Sequence, residues 1–386
     1  MKGGEDLRND QRVEQMFATV NSILQKDPTC QKKDLKLITY AVVPITMNAG
    51  MLEWIDKTEV LNNVYGHGSG TVGKTQKKEC HALLRKKFNM KFDRCSEAYE
   101  RIYRANRGTA DKEYKEKVDG TFSHDQFSKL LRDRAATPEV YIALRSKTIG
   151  TLAVINIAGY LLGIGDRHLG NCLLRDNDFS LIPIDFGHTF GSASFLLPIP
   201  ELIPFRLDPQ MESIMAPHPG RNGALRLHSF HILKAFVRES RVLLDSMQVF
   251  VNDPLMEWRP KQKPSRVNSG TGSGEALEQV FAALSVESQR EHAFASTKKK
   301  LDSESPFTII HQTVLQNKHS KFVKYKDSVL EFIKQKRGEF ESSVEGKYSA
   351  LDADDASVMK QVDGLMFLAT DRQVHLRSYL GLSLWS

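Results

Sequence analysis

The stretch GYLLGIGDRHLGNCLLRDNDFSLIPIDFGHTFG, residues 159–191, concentrates oxygen-bearing side chains at short intervals. Asp166 and Asn171 are separated by four residues, and Asp185 ends the apolar run Leu181-Ile182-Pro183-Ile184 just before Phe186-Gly187. Phosphoryl transfer asks a protein for a carboxylate that takes the proton of an attacking hydroxyl, and for hard oxygen ligands to magnesium. Each residue alone has a purely structural reading: Asp166 as a helix cap, Asn171 as a turn residue, His168 as a core histidine, Asp185-Phe186-Gly187 as a strand-ending turn. Together, at this spacing, they favour the chemical reading.

Protein kinases place an Asp, an Asn five positions later, and the Asp of Asp-Phe-Gly after a short hairpin; Asp166, Asn171 and Asp185 repeat that arithmetic. The histidine departs from it, following the Asp in Asp166-Arg167-His168 instead of preceding it. The run TIGTLAVINIAGYLLGIG (148–165) leads into the loop. It carries Asn156 and four glycines, with Arg145 and Lys147 before it and Asp166 after. It falls short of the roughly 20 strongly apolar residues of a membrane span and reads as a buried central helix. Gly163 and Gly165 would let that helix turn sharply into the loop.

Other elements surround this centre. Val13, Met16, Phe17, Val20 and Leu24 recur at helical spacing after the acidic Glu5, Asp6 and Asp10. LKLITYAVVPITMNAGMLEWI (35–55) reads as two strands broken at Asn48-Ala49-Gly50. The apolar, motif-dense part runs from about 138 to 260 and ends in a helical pattern at 228–250. RPKQKPSRVNSGTGSG (259–274) has the composition of a flexible connector, and Asp352–Asp355 reads as an acidic hinge before a last helix through Val358, Val362, Leu365, Met366 and Ala369.

With 40% apolar and 26% charged residues, the 386-residue chain is globular, and its net charge of +7 is a mild basic excess. Cys30, Cys80, Cys95 and Cys172 lie far apart with no Cys-x-x-Cys pair, which fits a reducing compartment and argues against a disulfide framework or a zinc site. The charged start MKGGEDLRNDQR does not read as a secretory signal. GSGTVGKT (68–75) has the spacing of a phosphate-wrapping loop, which with Asp185 as the metal-binding strand end would make a Walker-type NTPase. The preceding LNNVYGH suits a turn where that loop needs an apolar strand, so Lys74 is expected not to hold a nucleotide.

G-x-G-D-R-H-x-x-N followed by I-D-F-G resembles the catalytic and metal-binding loops of the phosphatidylinositol 3-kinase-related protein kinase family. KGGEDLRNDQRVEQMF (2–17) is similar to that family's segment around the nucleotide-binding lysine. GSASFLLPIPELIPFRL (191–207) is similar to the activation loop of its DNA-break-repair branch. SVMKQVDGLMFLATDRQVHLRSYLGLSLWS resembles the closing FATC segment, with Gly381-Leu382 where the family places Gly-Trp. The resemblance covers residues 1–55, 138–258 and 353–386, and is weak over 60–135.

The resemblance implies roles. Lys2 would neutralise the α and β phosphates of ATP, held by Glu5 or Asp10; Tyr40 and the hinge residues Glu53, Trp54 and Ile55 would wall the adenine pocket. Asp166 would be the base or substrate orienter, His168 a stabiliser of charge on the phosphoryl group, and Asn171 and Asp185 the Mg2+ ligands. Arg167 is expected to form a structural ion pair. From Phe186 to Pro204 there is no Lys or Arg, as phosphoinositide recognition would require, and Phe190, Phe195, Leu196, Leu197, Ile199 and Pro200 read as an apolar surface for a peptide.

The expected function is therefore a serine/threonine protein kinase, with Gln after the acceptor residue. The family further implies a nuclear role in end joining of DNA breaks, with Ku and DNA ends engaged by other parts of a larger protein and no membrane partner. The expected fold is α+β and bilobal: a partial N-lobe and hinge over 1–59, a variable helical insert over 60–137, a C-lobe over 138–258, a connector with helices over 259–352, and FATC over 353–386. Only Met1 precedes Lys2, so the roof over the phosphates is missing from this sequence. The expectation is a piece of a larger kinase that binds ATP poorly by itself, or a catalytically impaired binding module.

Overall fold

The computed structural model describes residues 1–4, 6–65, 124–196, 199–217, 222–252, 286–317 and 319–377. Glu5, the GSGTVGKT stretch with Lys74, the 259–274 connector and Gly381-Leu382 lie outside them, as do the side chains of Phe195 and Leu196.

The first sheet has the order β1 (Lys2–Gly3), β3 (Ala49–Leu52), β2 (Val42–Thr46), all antiparallel. The pair of strands expected from residues 35–55 is present, but the turn falls at Met47-Asn48, and Ala49 and Gly50 already belong to β3. Helix α1 (Arg8–Lys26) lies against β2 and buries Val13, Met16, Phe17, Val20 and Leu24, the stripe read from their spacing. Its chain continues into α2 (Pro28–Lys32), started by Asp27, whose carboxylate accepts from the amides of Thr29 and Cys30, both at 3.0 Å.

The segment Glu53–Lys57 then crosses to a second antiparallel sheet, β4 (Thr58–Val60), β5 (Cys172–Arg175) and β6 (Leu181–Pro183) in that order. Between β4 and β5 come α3 (Leu61–Val64), α4 (Gln126–Arg134) and α5 (Pro138–Leu162). Thr137 caps α5 by accepting from Val140 N, with Pro138 in the first turn where its missing N–H costs nothing. By length and composition α5 is able to cross a membrane, yet 13 of its residues are buried in the protein, from Thr148 to Leu162. It packs on β6, α4 and the later helices as the expected central helix.

After β6 follow α6 (Ser192–Leu196), α7 (Pro209–Ser213), α8 (Ala224–Arg238) and α9 (Ser240–Val251), then α10 (Val286–Leu301), α11 (Pro306–Gln316), α12 (Ser320–Val323), α13 (Lys326–Ser343), α14 (Ala353–Thr370) and α15 (Arg372–Leu376). The helical pattern at 228–250 resolves into two helices that meet at Glu239. One core joins α1, α5, α8, α9 and α14; a second is built by α11, α12, α13 and α15 around Ile199 and Leu202. Phe190, Ile199 and Pro200 are buried, which corrects their reading as a peptide-facing surface. Asp352 is also corrected, from hinge to helix cap: its carboxylate accepts from Asp355 N at 2.8 Å at the start of α14. The last helix buries Val358, Val362, Leu365, Met366 and Ala369 as expected.

Helix α14 is tied to α8 by a buried ion pair. Asp363, 8% exposed, accepts from Arg226 through both oxygens, from Lys347 Nζ at 2.9 Å and from the Tyr348 hydroxyl at 2.7 Å. Burial pushes its pKa up, but the bonds from Arg226, Tyr348 and Lys347 outweigh it and hold the carboxyl below its ordinary value. A depressed folded-state pKa stabilises above the unfolded value and is lost as pH falls through the folded one. Asp363→Ala should therefore cost about 1–3 kcal/mol at neutral pH, by removing the acceptor of the half-buried Arg226, of Lys347 and of Tyr348. In urea titrations that penalty should shrink once the pH drops below about 4, where the unfolded carboxyl binds its proton.

Candidate active site

The register of the β5–β6 hairpin brings the metal-ligand candidates together. Cys172 faces Pro183 and Leu173 faces Ile182, so the residues just outside the ladder, Asn171 and Ile184, become neighbours. Ile184 N donates to Asn171 O at 3.1 Å, and Asp185 follows directly. On the other side, α5 stops because Gly163 enters the left-handed region at φ 61°. Its carbonyl accepts from Gly191 N at 2.9 Å, which folds the chain after β6 back over the helix end.

Asp166 and Asp185 are themselves left-handed, at φ 57° and 60°. Such conformations cost on the order of 1–3 kcal/mol each and persist where surrounding contacts enforce them. Here the contacts are visible. Asp166 N donates to Glu201 Oε1 at 2.8 Å, and Asp166 O accepts from Asn171 Nδ2 at 2.9 Å and from His168 N at 3.0 Å. Arg167 donates Nε to Gly165 O and Nη1 to Ile184 O, both at 2.9 Å, and Nη2 to Asp185 O. In place of the expected ion pair, this guanidinium clamps three backbone carbonyls and so joins the two loops.

The backbone is thus engaged while the reactive groups are left open. Among the described residues no hydrogen bond or ion pair uses the carboxylate of Asp166 or of Asp185. Asn171 spends its Nδ2 on Asp166 O, which leaves Oδ1 as a hard acceptor. His168 Nδ1 accepts from Gly170 N at 3.0 Å, so Nε2 carries the ring proton. Burial, with Arg167 and Arg206 adding to it, lowers the His168 pKa and favours the neutral ring. One carboxylate and one amide oxygen suit magnesium, which takes its remaining ligands from water and phosphate. No group of three His, Cys, Asp or Glu side chains converges among the described residues, and such a site needs none.

The first sheet and α1 close on this loop from the other side. Asp10 Oδ1 accepts from Phe186 N at 3.2 Å, and Phe17 meets the Phe186 ring edge-on at 5.4 Å between centroids. Burial raises the Asp10 pKa and Asp185 raises it further, while the bond from Phe186 and the charge of Lys2 oppose them. Asp10 is therefore within electrostatic reach of Lys2, Tyr40 and Asp185, and Tyr40 of Asp185. Tyr40 is packed into the core at 8% exposure, and its amide donates to Glu14 Oε2 at 3.2 Å. Trp54, in contrast, is 85% exposed. Glu53 spends its amide on Ala41 O and its carboxylate on Ala41 N, both at 2.8 Å, which leaves its carbonyl as the group able to meet a base edge. Among the described residues no hydrogen bond uses the amides of Trp54 or Ile55. Glu5, the alternative partner for Lys2, lies outside the described residues.

A separate cleft of about 50 Å3 adjoins the catalytic loop, lined among others by Phe17, Asn156, His168, Asn171, Phe186 and Phe205. It includes none of Lys2, Tyr40 or Trp54, so it is space behind the loop and not the expected nucleotide position. Sequence reasoning missed two residues, Arg167 as a clamp and Glu201 as a partner of Asp166. Glu201 left a trace, as the one carboxylate in the otherwise apolar run PIPELIPF.

The model of the family described as phosphatidylinositol 3- and 4-kinase matches residues 1–260, which include both sheets and every residue of this site. The chain belongs to the phosphatidylinositol 3- and 4-kinase family. Within that kinase family it is 31% identical to the DNA-dependent protein kinase catalytic subunit of Dictyostelium discoideum, over 99% of this chain and 9% of the relative. It is 38% identical to the same protein of Mus musculus, over 67% of this chain and 6% of the relative. The chain thus spans less than a tenth of the length of these curated relatives. The kinase fold is matched by the solved structure described as the FAT and kinase domain of CtTel1, at a TM-score of 0.65 and 21% identity, over 100% of this chain and 21% of that one. The expected α+β kinase fold and the expected resemblance to the family's protein-kinase branch are both borne out.

Proposed function

We propose that this chain is the catalytic part of an ATP- and magnesium-dependent serine/threonine protein kinase. The observation that carries the reading is the pairing of two left-handed residues held through their backbone, Asp166 and Asp185, with two unspent carboxylates. Bound ATP and magnesium would supply the transferable phosphoryl group and the neutralisation of its charge. Asp166 orients the acceptor hydroxyl or takes its proton, and His168 Nε2 donates to charge developing on the phosphoryl oxygens. Asn171 Oδ1 and Asp185 would hold the metal, and Lys2 would neutralise the phosphates. Trp54 gives the adenine a face to stack on, beside the open amides of Trp54 and Ile55.

A protein hydroxyl is favoured over a phosphoinositide because Arg206, the first Arg or Lys after Asp185, is turned inward. Its Nε pairs with the fully buried Asp208 at 3.0 Å, so it is not displayed to a phosphorylated headgroup. The likeness to DNA-dependent protein kinases supports a preference for Gln after the acceptor and a nuclear role in end joining. Ku and DNA ends would then be engaged outside this chain. The test is to offer the full-length protein Ser-Gln peptides, matched Ser-Ala peptides and phosphoinositide vesicles with radiolabelled ATP. Label should enter the Ser-Gln peptide at least about tenfold faster than its partner, a difference of about 1.4 kcal/mol. Label in lipid, or none in either peptide, would overturn the proposal.

A further inference from the structure

We infer that Glu201 is a positioning residue for Asp166, one that reaches the catalytic loop from the activation loop and sets the direction of the Asp166 carboxylate. The inference rests on the kinase reading above and adds to it a residue that has no role there. Glu201 is the one Asp, Glu, Lys or Arg between Asp185 and Arg206. Its carboxylate is turned inward: Oε1 accepts from Asp166 N at 2.8 Å.

The geometry gives that bond unusual leverage. At φ 57°, Asp166 occupies a conformation that a non-glycine residue keeps only when its neighbours enforce it. Its carbonyl is held by the catalytic loop's own Asn171 and His168. Its amide is held by Glu201, 35 positions downstream. The peptide plane between Gly165 and Asp166 is held at two points, its carbonyl by Arg167 Nε and its amide by Glu201, and release of the amide would leave a single hold about which the plane can turn and swing the side chain.

The approach of Glu201 is itself built in. A Cβ on Gly165 would lie 2.7 Å from Glu201 Oε2 and 2.6 Å from Ala193 Cβ, so residue 165 must be glycine for the carboxylate to come this close. Glu201 is then fixed from behind. Ser194 Oγ donates to Glu201 O at 2.8 Å, Asn317 Nδ2 donates to Ser194 O at 3.1 Å, and Ile199 and Leu202 on either side are anchored in the second core. A continuous set of contacts therefore runs from the end of α11 through the activation loop to the backbone of Asp166.

What the geometry shows Glu201 supplying is a hydrogen-bond acceptor at a fixed reach. Burial, with the nearby Asp166 carboxylate adding to it against the bond from the Asp166 amide, pushes its pKa up to about 7. Glutamine keeps the acceptor and the length, whereas aspartate keeps the charge but withdraws the acceptor by one methylene. The two variants separate the possibilities.

In the full-length protein, Glu201→Ala and Glu201→Asp should each lower kcat for peptide phosphorylation about 100-fold, the scale of a misplacement of about 1 Å, with the KM for ATP within about twofold of wild type. Glu201→Gln should recover most of kcat. Hydrogen exchange at the Asp166 amide, read by mass spectrometry below the melting transition, should be slow in wild type and Glu201→Gln and at least about tenfold faster in Glu201→Ala. Wild-type kcat in Glu201→Ala, loss in Glu201→Gln equal to that in Glu201→Ala, or exchange indifferent to residue 201 would each overturn the inference. Absence of phosphoryl transfer by the wild type would instead sink the kinase reading, and the exchange measurement would still decide whether Glu201 holds Asp166.

Discussion

Replacing Asp185 by alanine is expected to reduce kcat for peptide phosphorylation by at least about 1,000-fold, a loss of about 4 kcal/mol of transition-state stabilisation, without changing the melting temperature of the unliganded protein. The separation of the two effects follows from the geometry. The Asp185 carboxylate makes no hydrogen bond or ion pair among the described residues, and the contacts that fix its loop run through its carbonyl, held by Arg167, and through Phe186 N, held by Asp10. Its removal would delete the proposed metal ligand and leave the scaffold in place. Asp166→Ala is the companion: a loss of about 100- to 10,000-fold is expected from a base or orienting group. Magnesium-dependent stabilisation by ATP should survive in Asp166→Ala and vanish in Asp185→Ala. Equal ATP stabilisation in both variants, measured by calorimetry, would show that Asp185 is not a metal ligand.

The second large effect is on folding. Gly163→Ala is expected to destabilise the protein by about 3 kcal/mol or more. A left-handed backbone costs an L-residue about 1–2 kcal/mol, and forcing a methyl into a packed site adds about 1–3 kcal/mol. The methyl would fall on the Gly191 amide nitrogen and within 3.0 Å of the Phe190 carbonyl carbon, both backbone atoms that cannot rotate away. The same substitution one turn earlier is the control. Gly159 has ordinary helical geometry and nothing within 4 Å of its added Cβ, so Gly159→Ala should be neutral or stabilising by about 0.5–1 kcal/mol. Urea midpoints for the pair read the difference directly, and equal midpoints would mean that the turn after α5 is not under the constraint described.

Phe190, Ile199 and Pro200 show where local pattern misleads. An apolar loop after a catalytic motif is ambiguous in sequence, because the same residues serve an exposed recognition surface or a core. The first core takes up Phe190, and the second, built by helices more than a hundred residues downstream, takes up Ile199. Asp352 is a similar case: an acidic run reads as a solvated hinge until the helix it caps is known. The hinge residues divide in the same way. Tyr40 and Trp54 look alike as aromatic candidates, yet one is packed beside Glu14 and the other stands in solvent.

The sequence by itself determined which groups are the candidates for the chemistry. The order Asp166, His168, Asn171, Asp185, the apolar stripe of α1 and the glycines after α5 are local in the chain, and local spacing is sufficient to read them. The tertiary structure alone decided how those groups are aimed. Asn171 and Asp185 become neighbours through the register of β5 and β6, Arg167 closes on carbonyls on the far side of that hairpin, and Glu201 reaches Asp166 from another loop. These contacts join residues 14 to 35 positions apart through turns whose direction depends on packing, and no periodicity in the chain encodes a distance across space.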